Sequence, residues 1–187
     1  MSKAIFINAH RPGAREKRLQ EMLRVDHAGE YGAVQIYKGQ RAVFDCLPHK
    51  ARLSNLLKEM EEGEQKHLSA FDELLADNGA RPTAFAPIWN VAGFALGAST
   101  ALMGEKAAMA CTSAVEEVIE QHYAEQAEEL GDTEPELRDT ILEFREDELE
   151  HKDTALEEGA EDAPGYSLLK GAIQAGCHLA IRLSEKV

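Results

Sequence analysis

Cysteine is scarce in this chain. Cys46, Cys111 and Cys177 lie far apart, are odd in number and form no C-x-x-C step. That speaks against a disulfide scaffold or a thiolate zinc site and favours a reducing compartment. No apolar core of a secretory signal stands near the start. The basic residues there, Arg11, Arg15, Lys17 and Arg18, fit a solvated helix start as well as the remnant of a targeting segment. Strand signals are almost missing, and only six prolines fall in 187 residues. The expected class is therefore all-α. Positive charge is short too, with a net of -14. Residues 105–163 hold 21 acids against 4 bases, whereas the stretches 1–24 and 164–187 are net positive. So acidic a body argues against a nucleic-acid partner, because phosphate backbones are held by Lys and Arg.

What is present is a repeated step. Glu64-Gln65-Lys66-His67 follows Glu30 by 34 residues, and Glu148-Leu149-Glu150-His151 follows Glu116 by 32. Positions i and i+3 share a helix face, so each step aims a carboxylate and an imidazole at one point. One Glu-x-x-His means little in a chain with 25 glutamates and seven histidines. Two in the same order at nearly equal spacing mark an internal repeat. Solvated acidic faces would explain the steps blandly, but the neighbours at helical spacing are apolar. Leu53, Leu57, Met60, Phe71 and Leu74 share the stripe of Glu64 and His67; Ile141, Phe144 and Ala155 share that of Glu148 and His151. Glu30 runs with Leu23, Val34 and Tyr37, and Glu116 with Met109, Ile119 and Tyr123. Carboxylates on core-facing stripes need compensation. Lys66 and Lys152 point off the stripes, while two divalent cations would neutralise four glutamates. Four Glu and two His inside a four-helix bundle are the ligand set of ferritin-like di-iron or di-manganese proteins.

The chain is expected to be one domain over 1–187, with the metal-binding bundle over about 16–159. Helices are predicted over about 16–44, 48–77, 105–130 and from the Thr133-Glu134-Pro135-Glu136 capping-box pattern to about 158, with a fifth over about 167–185. Residues 82–104 carry no charge and include Ile88, Trp89, Val91, Phe94, Leu102 and Met103. That length touches the range of a bilayer span. Pro82, Pro87, Asn90, Gly93, Gly97 and Gly104 interrupt it, so it reads as an apolar crossover, either packed in the core or lying as a lid in a membrane surface. Over 164–187, Leu168, Leu169, Ala172, Ile173, Leu179, Ala180 and Leu183 oppose a ladder of Lys170, Gln174, His178 and Arg182. A basic amphipathic helix on an acidic protein, taken with that crossover, favours peripheral attachment to a membrane.

Longer stretches resemble the 5-demethoxyubiquinone hydroxylases. They are Leu23-Arg24-Val25-Asp26-His27-Ala28-Gly29-Glu30-Tyr31-Gly32-Ala33, Pro87-Ile88-Trp89-Asn90 with Gly93 to Gly97, Ala108 to Thr112 leading to Glu116, Glu148 to His151, and Ile173-Gln174-Ala175-Gly176-Cys177. The resemblance covers the chain from about Leu19 onward. It implies a ferritin-like di-iron monooxygenase of ubiquinone biosynthesis that uses O₂ to hydroxylate 2-polyprenyl-3-methyl-6-methoxy-1,4-benzoquinol at ring position 5. The implied iron ligands, which are also the implied catalytic residues, are Glu30, Glu64, His67, Glu116, Glu148 and His151, with Glu64 and Glu148 chosen as the bridging pair. It implies two Fe ions and an external electron donor, with NADH the candidate. Further implied partners are a polyprenyl quinone, a membrane surface, a lipid-binding protein of the same pathway and a second copy of the chain. Asp147, next to Glu148, is a candidate acceptor for the far nitrogen of His67. His122 and Tyr123 are candidates for handling protons or electrons, or else ordinary packing residues. The expected location is the cytoplasmic face of a bacterial inner membrane, the alternative being the mitochondrial matrix face. Iron oxidation or peroxide scavenging on a ferritin or rubrerythrin-like fold is the rival reading. A further rival is an acidic helical adaptor without metal.

Overall fold

The computed structural model describes residues 13–187, so Arg11 and the residues before it lie outside the described range. Six α-helices run in chain order: α1 Ala14–Phe44, α2 Ala51–Asp77, α3 Ala86–Met103, α4 Glu105–Leu130, α5 Pro135–Glu157 and α6 Tyr166–Ser184. Among the described residues there is no strand. The architecture is an all-α ferritin-like bundle.

Short connections make α1–α2 and α4–α5 two antiparallel hairpins. Gly79, in the left-handed region at φ 61°, ends α2 after Asn78, whose Nδ2 donates to Leu74 O at 2.8 Å. The capping box at Thr133 does not form. Thr133 Oγ1 instead donates to Leu130 O at 2.6 Å and closes α4, and α5 begins at Pro135 with no side-chain cap.

Two apolar clusters fill the bundle at opposite ends. One joins Tyr37, Leu57, Met60, Met109 and Ala155. The other joins Leu23, Phe71, Tyr123, Leu130 and Ile141. On every one of the four long helices the predicted ligand positions fall between these two sets, so the clusters close the site from both sides.

The apolar crossover is present, and its being helical is what the sequence reading did not expect. Most of residues 82–104 forms a continuous helix, α3, laid along α1. Its glycines do not interrupt it; they allow the approach. A Cβ at Gly97 would overlap the Ile36 carbonyl oxygen, one at Gly39 would overlap the Phe94 carbonyl oxygen, and one at Gly93 would stand 2.9 Å from Gly32 O. Asn90 Nδ2 donates to Tyr31 Oη at 2.7 Å, and Trp89 Nε1 donates to Ser184 Oγ at 3.1 Å, fixing α3 to α1 and α6. The opposite face stays open: Val91, Leu102 and Met103 are 68%, 77% and 63% exposed. By length and composition α3 is apolar enough to cross a membrane.

The polar ladder of α6 also differs from expectation. Lys170 turns onto α4 and pairs with Glu117 at 2.5 Å, so the ladder serves the bundle at that point. Leu169 and Ile173 pack inward, whereas Leu168 and Leu179 face solvent.

Candidate metal centre

All six predicted positions converge. Glu30, Glu64, Glu116 and Glu148 are buried to 0–1% exposure, and His67 to 2%. Their donor atoms form two groups, Glu30–Glu64–His67–Glu148 and Glu64–Glu116–Glu148–His151, each spanning less than 4.8 Å. Glu64 and Glu148 belong to both groups, the placement that a bridging pair requires.

The donors crowd without bonding to one another. His67 Nδ1 lies 3.2 Å from Glu148 Oε1, 3.6 Å from Glu30 Oε2 and 3.8 Å from Glu64 Oε2; His151 Nδ1 lies 2.8 Å from Glu64 Oε1. Yet Glu30 Oε2, both oxygens of Glu64 and of Glu148, Glu116 Oε2 and both of these imidazole nitrogens have no hydrogen-bond partner. Eight buried polar atoms left this way would be very costly. Donors sharing an octahedral ion at about 2.1 Å stand about 3 Å apart when adjacent and about 4.2 Å when opposite, and the separations of 2.8–3.8 Å fall in that range. The residues therefore fit a metal pair, and a buried cluster that could hold metal is in place.

Protonation follows the same crowding. Burial, reinforced by the charge of Glu64, holds the carboxyls of Glu30 and Glu148 above their ordinary range and pushes Glu116 up to about 7. Burial pushes Glu64 up as well, but the imidazoles of His151 and His67 that face it, with the neighbouring Glu30 carboxyl, outweigh burial and bring the group down to about 2. For Glu116 the sign is that of a raised acid: its neutral form stabilises the fold, and that stability is lost as pH climbs from the unfolded value through about 7. The metal-free protein should accordingly melt at lower temperature near pH ~8 than near pH ~5.5. Added divalent cation should reverse the order, because binding takes the deprotonated ligands and releases protons. Thermal unfolding with and without metal at the two pH values checks this.

Surrounding groups hold the donors in place. Asp147 Oδ2 stands 3.0 Å from His67 Nε2, the contact expected from the sequence, and leaves Nδ1 to face the carboxylates. Phe144 stacks on the other side of that ring, at 4.1 Å between centroids. Asp147→Asn should weaken metal binding by about 10- to 100-fold while leaving helix content unchanged. Metal titration of the apo-protein measures it.

Two further partners are tyrosines: Tyr37 donates to Glu116 Oε1 at 2.5 Å, and the Tyr123 hydroxyl donates to Glu30 Oε1. Tyr123 had a sequence signal through its place seven residues after Glu116. Tyr37 showed only as a stripe neighbour of Glu30. His122 turns away from the donors toward Asp26, 3.5 Å between Nε2 and Oδ1. Asp26 stands in the stretch that carries the resemblance but without a role there, and its other partner, Gln126, had no signal, since their meeting depends on the register of α1 against α4.

An all-α ferritin-like bundle with two overlapping carboxylate–histidine groups in its interior defines the class. Residues 17–184 match the family described as ubiquinone biosynthesis protein COQ7, and the chain belongs to that family. It is 53% identical over 169 residues to the 3-demethoxyubiquinol 3-hydroxylase of Rhodospirillum rubrum, covering 90% of this chain and 78% of that protein. It is 47% identical over 173 residues to the mitochondrial NADPH-dependent 3-demethoxyubiquinone 3-hydroxylase of Homo sapiens, covering 90% and 78%. The Caenorhabditis elegans enzyme of the same name is 41% identical over 191 residues, covering 100% of both.

Proposed function

We propose that this single-domain protein is a di-iron monooxygenase that hydroxylates demethoxyubiquinol in ubiquinone biosynthesis, drawing on O₂. The observation that carries this reading is the pair of donor groups sharing Glu64 and Glu148, in a chain whose relatives bear hydroxylase names. Glu30 and His67 would hold one iron, Glu116 and His151 the other, with Glu64 and Glu148 between them. Oxygen donors with only two imidazoles suit iron or manganese over copper, and iron is chosen because oxygen activation needs a redox metal. When bound, the irons supply the electrons that O₂ activation requires.

The chain's own residues do the rest. Asp147 orients His67, so that its Nδ1 lone pair faces inward. Tyr37 and Tyr123 donate to Glu116 and Glu30, fixing one oxygen of each carboxylate and leaving the other free. The apolar clusters shield the centre at its two ends, which strengthens charge interactions among the buried carboxylates and protects reactive species from side reactions. A polyprenyl quinol is itself apolar, and the open face of α3 together with the exposed Leu168 and Leu179 of α6 supports peripheral attachment to the membrane that holds it. We place that attachment on the cytoplasmic face of a bacterial inner membrane or the equivalent matrix face in mitochondria. The electron donor is a reduced nicotinamide, a lipid-presenting protein would deliver substrate on that same face, and the chain would assemble with a second copy of itself.

Anaerobic reconstitution with Fe(II) and demethoxyquinol, followed by O₂, tests the reading. The expected product is heavier than the substrate by one oxygen atom, identified by mass. Iron oxidation with the quinol returned unchanged would favour iron storage or peroxide scavenging instead.

A further inference from the structure

The two halves of the centre repeat in sequence, and the repeat breaks at one position. Asp147 directly precedes Glu148 on α5, and Gly63 directly precedes Glu64 on α2. The two residues stand in equivalent places, each against the histidine of the opposite helix. Asp147 Oδ2 meets the outer nitrogen of His67 at 3.0 Å. A Cβ added at Gly63 would stand 3.5 Å from the outer nitrogen of His151, Nε2, and 3.4 Å from its Cε1. A side chain at position 63 would thus reach His151 as Asp147 reaches His67, and glycine supplies none. Packing does not demand the glycine, because an alanine Cβ would sit there in ordinary contact and would favour the helix.

The break leaves the two imidazoles held to different degrees. The His67 side chain is 2% exposed, and Phe144 stacks on its ring. The His151 side chain is 14% exposed although its Nδ1 is buried, so its outer edge is the part that reaches solvent. The α2 position matching Phe144 is Met60, which has no ring to stack. Tyr37 meets His151 only edge-on, at 6.3 Å between centroids. Among the described residues, no side chain pairs with His151 Nε2. An outer carboxylate fixes the orientation of a ligating imidazole and makes its inner nitrogen a stronger donor. One histidine of the centre has that support and the other does not.

We infer that the two ion positions are unequal. The Glu116–His151 position is the exchangeable one, filled last and emptied first through the seam between α2 and α5 beside Gly63. Asp147 locks the ion at Glu30 and His67. This inference rests on the metal-centre reading and deepens it: the ligand is Fe(II), and Gly63 and Asp147 are positioning residues that set the order in which it is held.

The test loads the protein anaerobically with two Fe(II) per chain, adds excess chromogenic ferrous chelator and follows the release of iron without substrate. The parent should release iron in two phases of equal size, their rates differing by about 10-fold or more, the low end of what an outer partner contributes. Gly63→Asp should slow the fast phase by a similar factor. Gly63→Ala, which adds the Cβ without an acceptor, should leave that phase at the parent rate. Asp147→Gly should instead speed the slow phase until the two merge. Should Gly63→Asp fail to load iron, Gly63→Ser makes the same test with a neutral acceptor. A single release rate in the parent would overturn the inference. So would equal slowing by Gly63→Asp and Gly63→Ala, which marks a purely steric effect, or an action of Gly63→Asp on the slow phase. A parent that shows both phases but returns the quinol unchanged would sink the hydroxylase reading and support this one. A parent that takes up fewer than two ions would sink both.

Discussion

Replacing Glu148 with glutamine should abolish hydroxylation and cost the protein its metal. Glu148 belongs to both donor groups, and neither of its oxygens has a protein partner. On the proposed di-iron reading, its removal would take a ligand from both ions at once. An outer partner alone is worth 10- to 100-fold in affinity, so losing a shared ligand should cost more than ~100-fold, with turnover falling at least as far. Stability should move the other way. Without metal, Glu148 is a buried acid pushed upward by burial and by the charges of Glu64 and Glu116. A neutral amide of the same size relieves that repulsion, so metal-free Glu148→Gln should melt at or above the metal-free parent at neutral pH. Glu148→Ala should lose iron and activity equally and keep its helix content. Circular dichroism, thermal melts and metal analysis on the same samples separate the two effects. A variant that kept two irons and full turnover would refute the assignment of this carboxylate.

Gly97→Val should be the most damaging change outside the metal centre. The added Cβ meets the backbone carbonyl of Ile36, which has no rotamer to change. Overpacking costs typically 1–3 kcal/mol, and a backbone clash belongs at or above the top of that range, about 3 kcal/mol. For a chain of this size that corresponds to a loss of roughly 10 °C in Tm. The damage should reach beyond stability, because α3 must lift from α1 and disturb Asn90–Tyr31, where Tyr31 directly follows Glu30. Gly171→Ala supplies the contrast. Gly171 has no heavy atom within 4 Å of a built Cβ, so alanine there should stabilise α6 by about 0.5–1 kcal/mol. Equal effects at the two glycines would contradict the close α1–α3 packing.

These two sites also mark what the sequence reveals and what it hides. The donors were legible because helical spacing is local: Glu64 and His67 share a face whatever the rest of the chain does, and their apolar neighbours show which way that face points. Asp147 was legible for the same reason, standing beside Glu148 on a helix whose orientation the stripe had already settled. α3 was hidden because Gly93 and Gly97 carry opposite meanings in isolation and in contact. Alone they weaken a helix; against α1 they permit an approach that any side chain would block. The Thr133 capping box failed because the preceding helix end competed for the same hydroxyl. Asp26 with His122 and Gln126 was beyond reach, since their contact is made only by docking α1 on α4.

Anaerobic titration of the apo-protein with Fe(II) tests the central claim most directly. Six side chains in two groups sharing Glu64 and Glu148 predict saturation at two ions per chain in the parent. Glu148→Gln should leave both of those ions weakly held. Saturation at one ion or none in the parent, or two tightly held ions in the variant, would contradict the account.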